Sequence, residues 1–245
     1  MNISALLIAR NEQAIVKNCL ESLCFADEII VILDRSIDDT ESICKKYTKK
    51  VYRGSWNCEG ERRNYGIKKC SFDWIFEIDA DEIVSRHLQN EILKKKKLTN
   101  FDFFYIKLIN YVGDKPLKYG WMGCMAPDGK FCMFKKNSKK WSKGLVHPNY
   151  DLVGKKGPQF ENTIVHKMSN NISDLVRRFN RNTTLYSEEL RLEDEKRGIS
   201  FRKVISRFIK SFFKRKGYKH GKLGLLIGIL NAIYPLVSLI KSKEN

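Results

Sequence analysis

Asp79 and Asp81 stand two residues apart, directly after the apolar stretch at residues 74–78 (WIFEI). Two carboxylates at that spacing, at the end of a buried strand, can share a hard divalent cation with a diphosphate. Mg2+ and Mn2+ take oxygen ligands and keep positions open for phosphate. Such a cation neutralises charge on a departing group. The same residues could instead form an acidic cluster at a helix N-terminus, where the dipole favours negative charge. Two more polar clusters follow apolar runs: Arg10-Asn11-Glu12 after residues 3–9, and Asp34-Arg35-Ser36 after residues 28–33.

The elements needed to position these groups are legible. Residues 3–9, 28–33, 50–53 and 74–78 read as strands. Between them, helical spacing places Ile15, Val16, Cys19, Leu20 and Leu23 on one face, with Asn11 as an N-cap. A second helix turns Ile43, Cys44 and Tyr47 inward, and residues 60–70 and 85–97 also read as helices. Alternating strands and helices predict an α/β fold with a mostly parallel central sheet covered on both faces. Ligands of such sheets bind beyond the carboxyl ends of the strands. The three polar clusters should therefore share one edge.

From residue 101 the pattern changes. Residues 103–111 are strand-like, an aromatic and glycine-containing region runs to residue 157, and residues 172–192 read as a helix. The division expected is a main domain over 1–192, in halves 1–100 and 101–192, followed by a tail over 193–245.

The chain has 245 residues and a net charge of +18. A surplus this large implies an anionic partner. Residues 196–243 hold 13 lysines and arginines and no acidic residue. Residues 199–215 place Phe201, Val204, Ile205, Phe208, Ile209, Phe212 and Phe213 on one helical face with cations on the rest. That pattern suits an anionic membrane surface. Base stacking needs aromatics set among the cations, so a nucleic-acid partner is not expected. Residues 223–240 are apolar and barely reach the ~20 residues of a spanning helix. They contain Asn231 and Pro235, which predicts a membrane-lying or membrane-embedded hairpin. Seven cysteines without a CxxC pair suit a reducing compartment. The N-terminus reads as a strand and not as a signal peptide.

In combination, the stretches ARNE (9–12), ADEIIVILDRSIDDT (26–40), GERRNYGI (60–67), WIFEIDADE (74–82) and SDLVRRFNRNTT (173–184) resemble the family 2 glycosyltransferases of GT-A, Rossmann-like fold. More narrowly, they resemble the bacterial lipopolysaccharide-core beta-1,4-glucosyltransferase group. The resemblance implies an inverting, metal-dependent hexosyl transfer from a nucleotide diphosphate sugar, with UDP-glucose the default. The acceptor would be a lipopolysaccharide-core or other lipid-linked glycan, on the cytoplasmic face of a bacterial inner membrane.

Roles follow residue by residue. Arg10, Glu12, Asp34, Arg63, Asn64 and Asp79 would line the donor site, Asp34 at the base and Asp79 near the ribose or metal. Asp81 would ligate Mg2+ or Mn2+. Arg63 could pair with phosphate or lie on a solvated helix face. An inverting transfer needs a carboxylate base. Asp128 is that candidate, because Pro127-Asp128 follows Trp121 and precedes FCMFKK; the alternative is an ordinary Pro-Asp-Gly turn. His166 and His147 each follow an apolar pair and could complete the metal site or touch the diphosphate; the alternative is an ordinary core or surface histidine. Three departures from the group bear on donor and acceptor contacts: Arg35-Ser36-Ile37 in place of Ser-Gly-Ser, Cys132 in place of arginine, and Pro148 after His147. The other function class left open is a non-catalytic basic membrane- or nucleic-acid-binding protein on the same fold.

Overall fold

The structure, a computed structural model, describes residues 2–98, 100–124, 126–142, 149–192 and 200–244. Its chain forms two units, residues 1–108 with 129–166, and residues 109–128 with 167–245.

Every residue of β1 (Ile3–Ala9) is buried, as an apolar strand covered on both faces must be. Its alternate side chains enter two separate cores. Ile3, Ala5, Leu7 and Ala9 pack with Val16, Cys19 and Leu20 of α1 (Val16–Glu21). Leu6 and Ile8 pack in the other core with Ile30 and Ile32 of β2 (Glu28–Asp34). After α2 (Thr40–Cys44) and β3 (Val51–Gly54) comes α3 (Glu59–Lys69), whose Ile67 joins that second core. Gly66 lets α3 lie close on the sheet: a Cβ there would sit 2.6 Å from Leu6 Cδ1.

Then follow β4 (Trp74–Asp79), β5 (Glu82–Val84) and α4 (Arg86–Lys95), which Ser85 caps by accepting the Leu88 amide. β6 (Phe103–Val112) turns back through the short β7 (Lys115–Pro116). β8 (Gly129–Lys135), β9 (Lys139–Trp141), β10 (Tyr150–Leu152) and β11 (Ile164–Ser169) complete the strands. The main sheet runs β3-β2-β1-β4-β8-β6-β11-β5, while β9 and β10 form a separate pair.

Only the first half of the main sheet is parallel: β1 with β2 and β4, and β2 with β3. β4–β8, β6–β8 and β11–β5 are antiparallel. The expected mostly parallel sheet is thus a mixed one. Helical crossovers, which keep successive strands parallel, stop after α4, and β6 returns to β8 through a loop.

The first helix also differs from expectation. Asn11 adopts φ 55° and accepts the Ile37 amide at 2.9 Å, so it braces a neighbouring loop and caps nothing. The helix starts at Val16 instead.

Glu28 ties four segments of this unit together. Its carboxylate accepts from Ser4, Lys50 and both the amide (2.5 Å) and hydroxyl (2.9 Å) of Ser71. Burial pushes this carboxyl up, but the donors outweigh burial and hold it at about 2. A depressed acid contributes stability above its unfolded value of 4.5 and loses it as pH falls through about 2. Lys50 is half-exposed, which weakens the pair. Glu28→Gln should therefore cost about 2 kcal/mol at pH 7. Urea midpoints of parent and variant should converge by more than half at pH 3. A gap that ignores pH rules out this linkage.

The second unit holds α5 (Ile172–Leu192), α6 (Phe201–Ile209) and α7 (Gly221–Lys243). One π-turn follows α6 at Lys210–Lys214, and a 3-10 turn at Gly217–His220 leads into α7. The expected boundary at residue 192 falls inside this unit, because Leu175 and Phe179 of α5 share a core with Ile227, Leu230 and Tyr234 of α7. Leu117 and Trp121 belong to the same core. Arg191 donates to the carbonyls of Lys241 (2.7 Å) and Ser242 (3.1 Å), capping the end of α7.

α7 is long and apolar enough to cross a membrane, yet half of its most apolar stretch is buried in its own unit. Pro235 sits inside it and cannot donate to the carbonyl of Asn231. Arg207 Nε fills that vacancy at 2.9 Å. The phenylalanine face of α6 divides in two. Val204, Phe208 and Phe212 are half-buried, Phe208 and Phe212 stacking at 5.4 Å. Phe201, Ile205, Ile209 and Phe213 are exposed.

Candidate active site

The site is built in the first unit on the carboxyl end of β4. Asp79 ends that strand, and its carboxylate lies between two cations. Arg63 Nη2 donates to Oδ1 at 2.9 Å, and Lys130 Nζ donates to Oδ2 at 3.0 Å. Burial raises the Asp79 carboxyl, but Arg63 and Lys130 overwhelm that and hold it far below the usual range. Lys130 also donates to Glu82 Oε2 at 2.6 Å, and that oxygen accepts the Asp79 amide at 3.0 Å. Burial opposes charge on Lys130, yet Asp79 and Glu82 keep its pKa well above normal. Glu82 goes the other way: burial, with Asp79 and Asp81 nearby, raises it despite Lys130.

Arg63 reaches two further acids, Glu59 through Nε at 2.7 Å and Glu77. Glu77 is buried and also accepts from Lys139 Nζ (3.1 Å) and Trp141 Nε1 (3.2 Å). A continuous chain of alternating charge thus runs from Lys139 through Glu77, Arg63, Asp79 and Lys130 to Glu82. Paired in this way, the buried charges avoid the cost of isolation.

Asp81 follows two residues after Asp79 and meets a histidine. Its Oδ2 is 3.1 Å from His166 Nε2. The register explains the meeting, because His166 on β11 is the antiparallel partner of Glu82 on β5. The resemblance implies a divalent cation here. The Asp81 carboxylate oxygen is a ligand of the kind Mn2+ and Mg2+ take, while the His166 imidazole nitrogen is a softer ligand than such hard cations prefer, so the fit rests on the carboxylate. No cluster of three or more such side chains is found among the described residues. A cation held by two protein ligands leaves its other positions to phosphate and water.

Asp34 ends β2 and is buried. Arg35 grips it with Nε and Nη2, each at 3.0 Å, and Arg62 Nη1 adds a contact at 3.1 Å. Burial works against its charge, but Arg35 and Arg62 prevail and keep the carboxyl low. Arg35 holds φ at 52°, a left-handed conformation that is uncommon for a long side chain. The carboxylate assigned to the base by resemblance is therefore already engaged by two guanidinium groups.

The remaining expected residues are placed as follows. Arg10 is exposed just beyond β1, and the Glu12 amide donates to Thr40 Oγ1 at 2.7 Å. Asn64 spends its side-chain amide on the Trp141 backbone, at 2.8 Å to the carbonyl and 3.0 Å from the amide. Asp128 is exposed and belongs to the second unit, where Asn110 Nδ2 holds the preceding carbonyl of Pro127 at 3.1 Å. His147 lies outside the described residues.

Sequence reasoning missed Glu77, Lys130, Lys139 and the structural part of Glu82. Glu77 carried a signal, a lone acid inside the apolar run WIFEI. The lysines carried none, because they are two among many.

The family model described as "Glycosyl transferase family 2" matches residues 4–148, more than half of the chain. An uncharacterised glycosyltransferase of Rickettsia typhi is 29% identical over 264 residues, 99% of this chain and 87% of that protein. A lipopolysaccharide core biosynthesis glycosyltransferase of Rhizobium meliloti is 29% identical over 92 residues, 36% of this chain and 34% of its own. The crystal structure of S. aureus TarS 1-349 superposes with a TM-score of 0.49 at 13% identity, over 99% of this chain and 88% of that one. The matched residues contain the acidic loop after β4 and the carboxylate at the end of β2, and on that match the chain belongs to glycosyl transferase family 2 and is a glycosyltransferase.

Proposed function

We propose that the protein moves a hexose from a nucleotide diphosphate sugar, UDP-glucose by default, to a lipopolysaccharide-core or other lipid-linked glycan acceptor, with inversion. The observation that carries this reading is the meeting of Asp81 with His166 beside an Asp79 held between two cations.

Asp81 and His166 would hold Mg2+ or Mn2+, which when bound supplies positive charge to the departing diphosphate. The protein's own contribution is rigidity and placement. Arg63 and Lys130 clamp Asp79, so the loop carrying Asp81 needs little reorganisation when donor arrives. Asp34, with Arg35, would orient the base. Arg10, Glu12 and Asn64 belong to the donor side in this reading. Asp128 would take the proton of the acceptor hydroxyl. The basic second unit would sit on an anionic membrane at the cytoplasmic face, close to a lipid-borne acceptor.

A thermal-shift panel tests the donor half. UDP, GDP and CMP are each presented with and without Mn2+, and one nucleotide should raise the melting temperature in a metal-dependent way. Asp128→Asn should keep that shift while losing transfer by about 10²–10⁴-fold. A variant that transfers at the parent rate removes Asp128 from the reaction.

A further inference from the structure

α6 and the turn after it, in the second unit, carry a second feature. Arg202, Lys203, Arg207 and Lys210, with the hydroxyls of Ser200 and Ser206, line a cavity of about 610 Å³. Among the described residues, no acidic side chain lines it. Among the described residues, none of the four cations is ion-paired to a carboxylate. Lys203 and Arg207 stand four residues apart on the helix, and Arg207 and Lys210 three, spacings at which like charges repel. An anion in the cavity relieves that repulsion. The volume exceeds what a bare phosphate needs and leaves room for a phosphorylated head group.

The adjoining face of the same helix says which kind of anion. Phe201, Ile205, Ile209 and Phe213 recur every fourth residue and are 75%, 58%, 41% and 55% exposed. Cations with hydroxyls on one side and an apolar row beside them match a molecule with a phosphate and hydrocarbon chains. A soluble anion would use only half of this surface.

We propose that the cavity is a binding site for the phosphate of an anionic lipid, with Phe201, Ile205, Ile209 and Phe213 entering the acyl region. The site deepens the membrane part of the proposed function and is independent of the sugar chemistry.

The test uses the full chain and sedimentation with vesicles of phosphatidylglycerol in phosphatidylcholine, against phosphatidylcholine alone. The triple variant Arg202→Gln, Lys203→Gln, Lys210→Gln leaves Arg207 in place, because its Nε serves the Asn231 carbonyl. Its binding to phosphatidylglycerol vesicles should fall about 100-fold. A control with Lys46→Gln, Lys49→Gln and Lys94→Gln removes equal charge from exposed positions in the first unit and should stay within about 2-fold of the parent, since none of the three lines the proposed site. Melting temperatures establish that both variants fold.

Unchanged vesicle binding in the first triple variant overturns the proposal. So does an equal loss in both variants, which would mean diffuse attraction. Titration with inorganic phosphate separates a free-anion site: binding of phosphate without any preference for phosphatidylglycerol also overturns it. The metal-dependent nucleotide shift should survive in the first triple variant. Absence of that shift in the parent would sink the donor reading and leave the vesicle result standing.

Discussion

An Asp81→Ala chain should fold with an unchanged melting temperature and lose transfer by about 10³-fold, the scale of several kcal/mol of charge stabilisation. Folding should survive because the Asp81 side chain is 20% exposed and the run from Lys139 to Glu82 keeps its own ion pairs without it. Its removal also takes a negative charge away from Glu82, which Asp81 helps to hold up. Activity should fail because one of the two side chains offered to the cation is gone. The metal-dependent part of the nucleotide shift should vanish with it, which distinguishes lost ligation from lost folding. A variant that transfers at the parent rate with Mn2+ would reject Asp81 as a ligand of the cation.

The largest loss of stability should come from Glu77→Gln. Lys139 is nine-tenths buried or more, and Glu77 is the only carboxylate within ion-pair distance of it among the described residues. Burial already pulls the Lys139 ammonium below its usual pKa even with Glu77 present. Breaking one half of such a pair costs about 3–5 kcal/mol, or about 10 °C in melting temperature for a chain this size. Adding Lys139→Met removes the stranded charge and should recover more than half of the loss. Arg63 keeps Glu59 and Asp79 in either variant. A double variant no more stable than Glu77→Gln alone would show that the cost lies elsewhere.

What could be read in advance follows the range of the interactions. Residues 3–9 and 74–79 are legible because a strand covered on both faces must be apolar throughout. Asp34, Asp79 and Asp81 are legible because they end such strands. Asn11 misled, since its capping chemistry was directed at the Ile37 amide across a loop. Lys130 and Lys139 could not be singled out, because the antiparallel return of β8 against β4 brings that segment beside distant acids. His166 could be suspected, but only the pairing of β11 with β5 puts it at Asp81. The division of the α6 apolar face into packed and exposed rows depends on where α7 lies, and nothing local encodes that.

The interleaving of the two units has a consequence during synthesis. The first unit is complete once residue 166 has emerged, but the second needs residues 109–128 together with the last helix. Leu117 and Trp121 must wait for Ile227, Leu230 and Tyr234 before their core can close. At about 5–20 residues per second, that delay is on the order of ten seconds. During it the nascent chain displays an apolar loop from an otherwise finished unit, a natural target for a ribosome-associated chaperone.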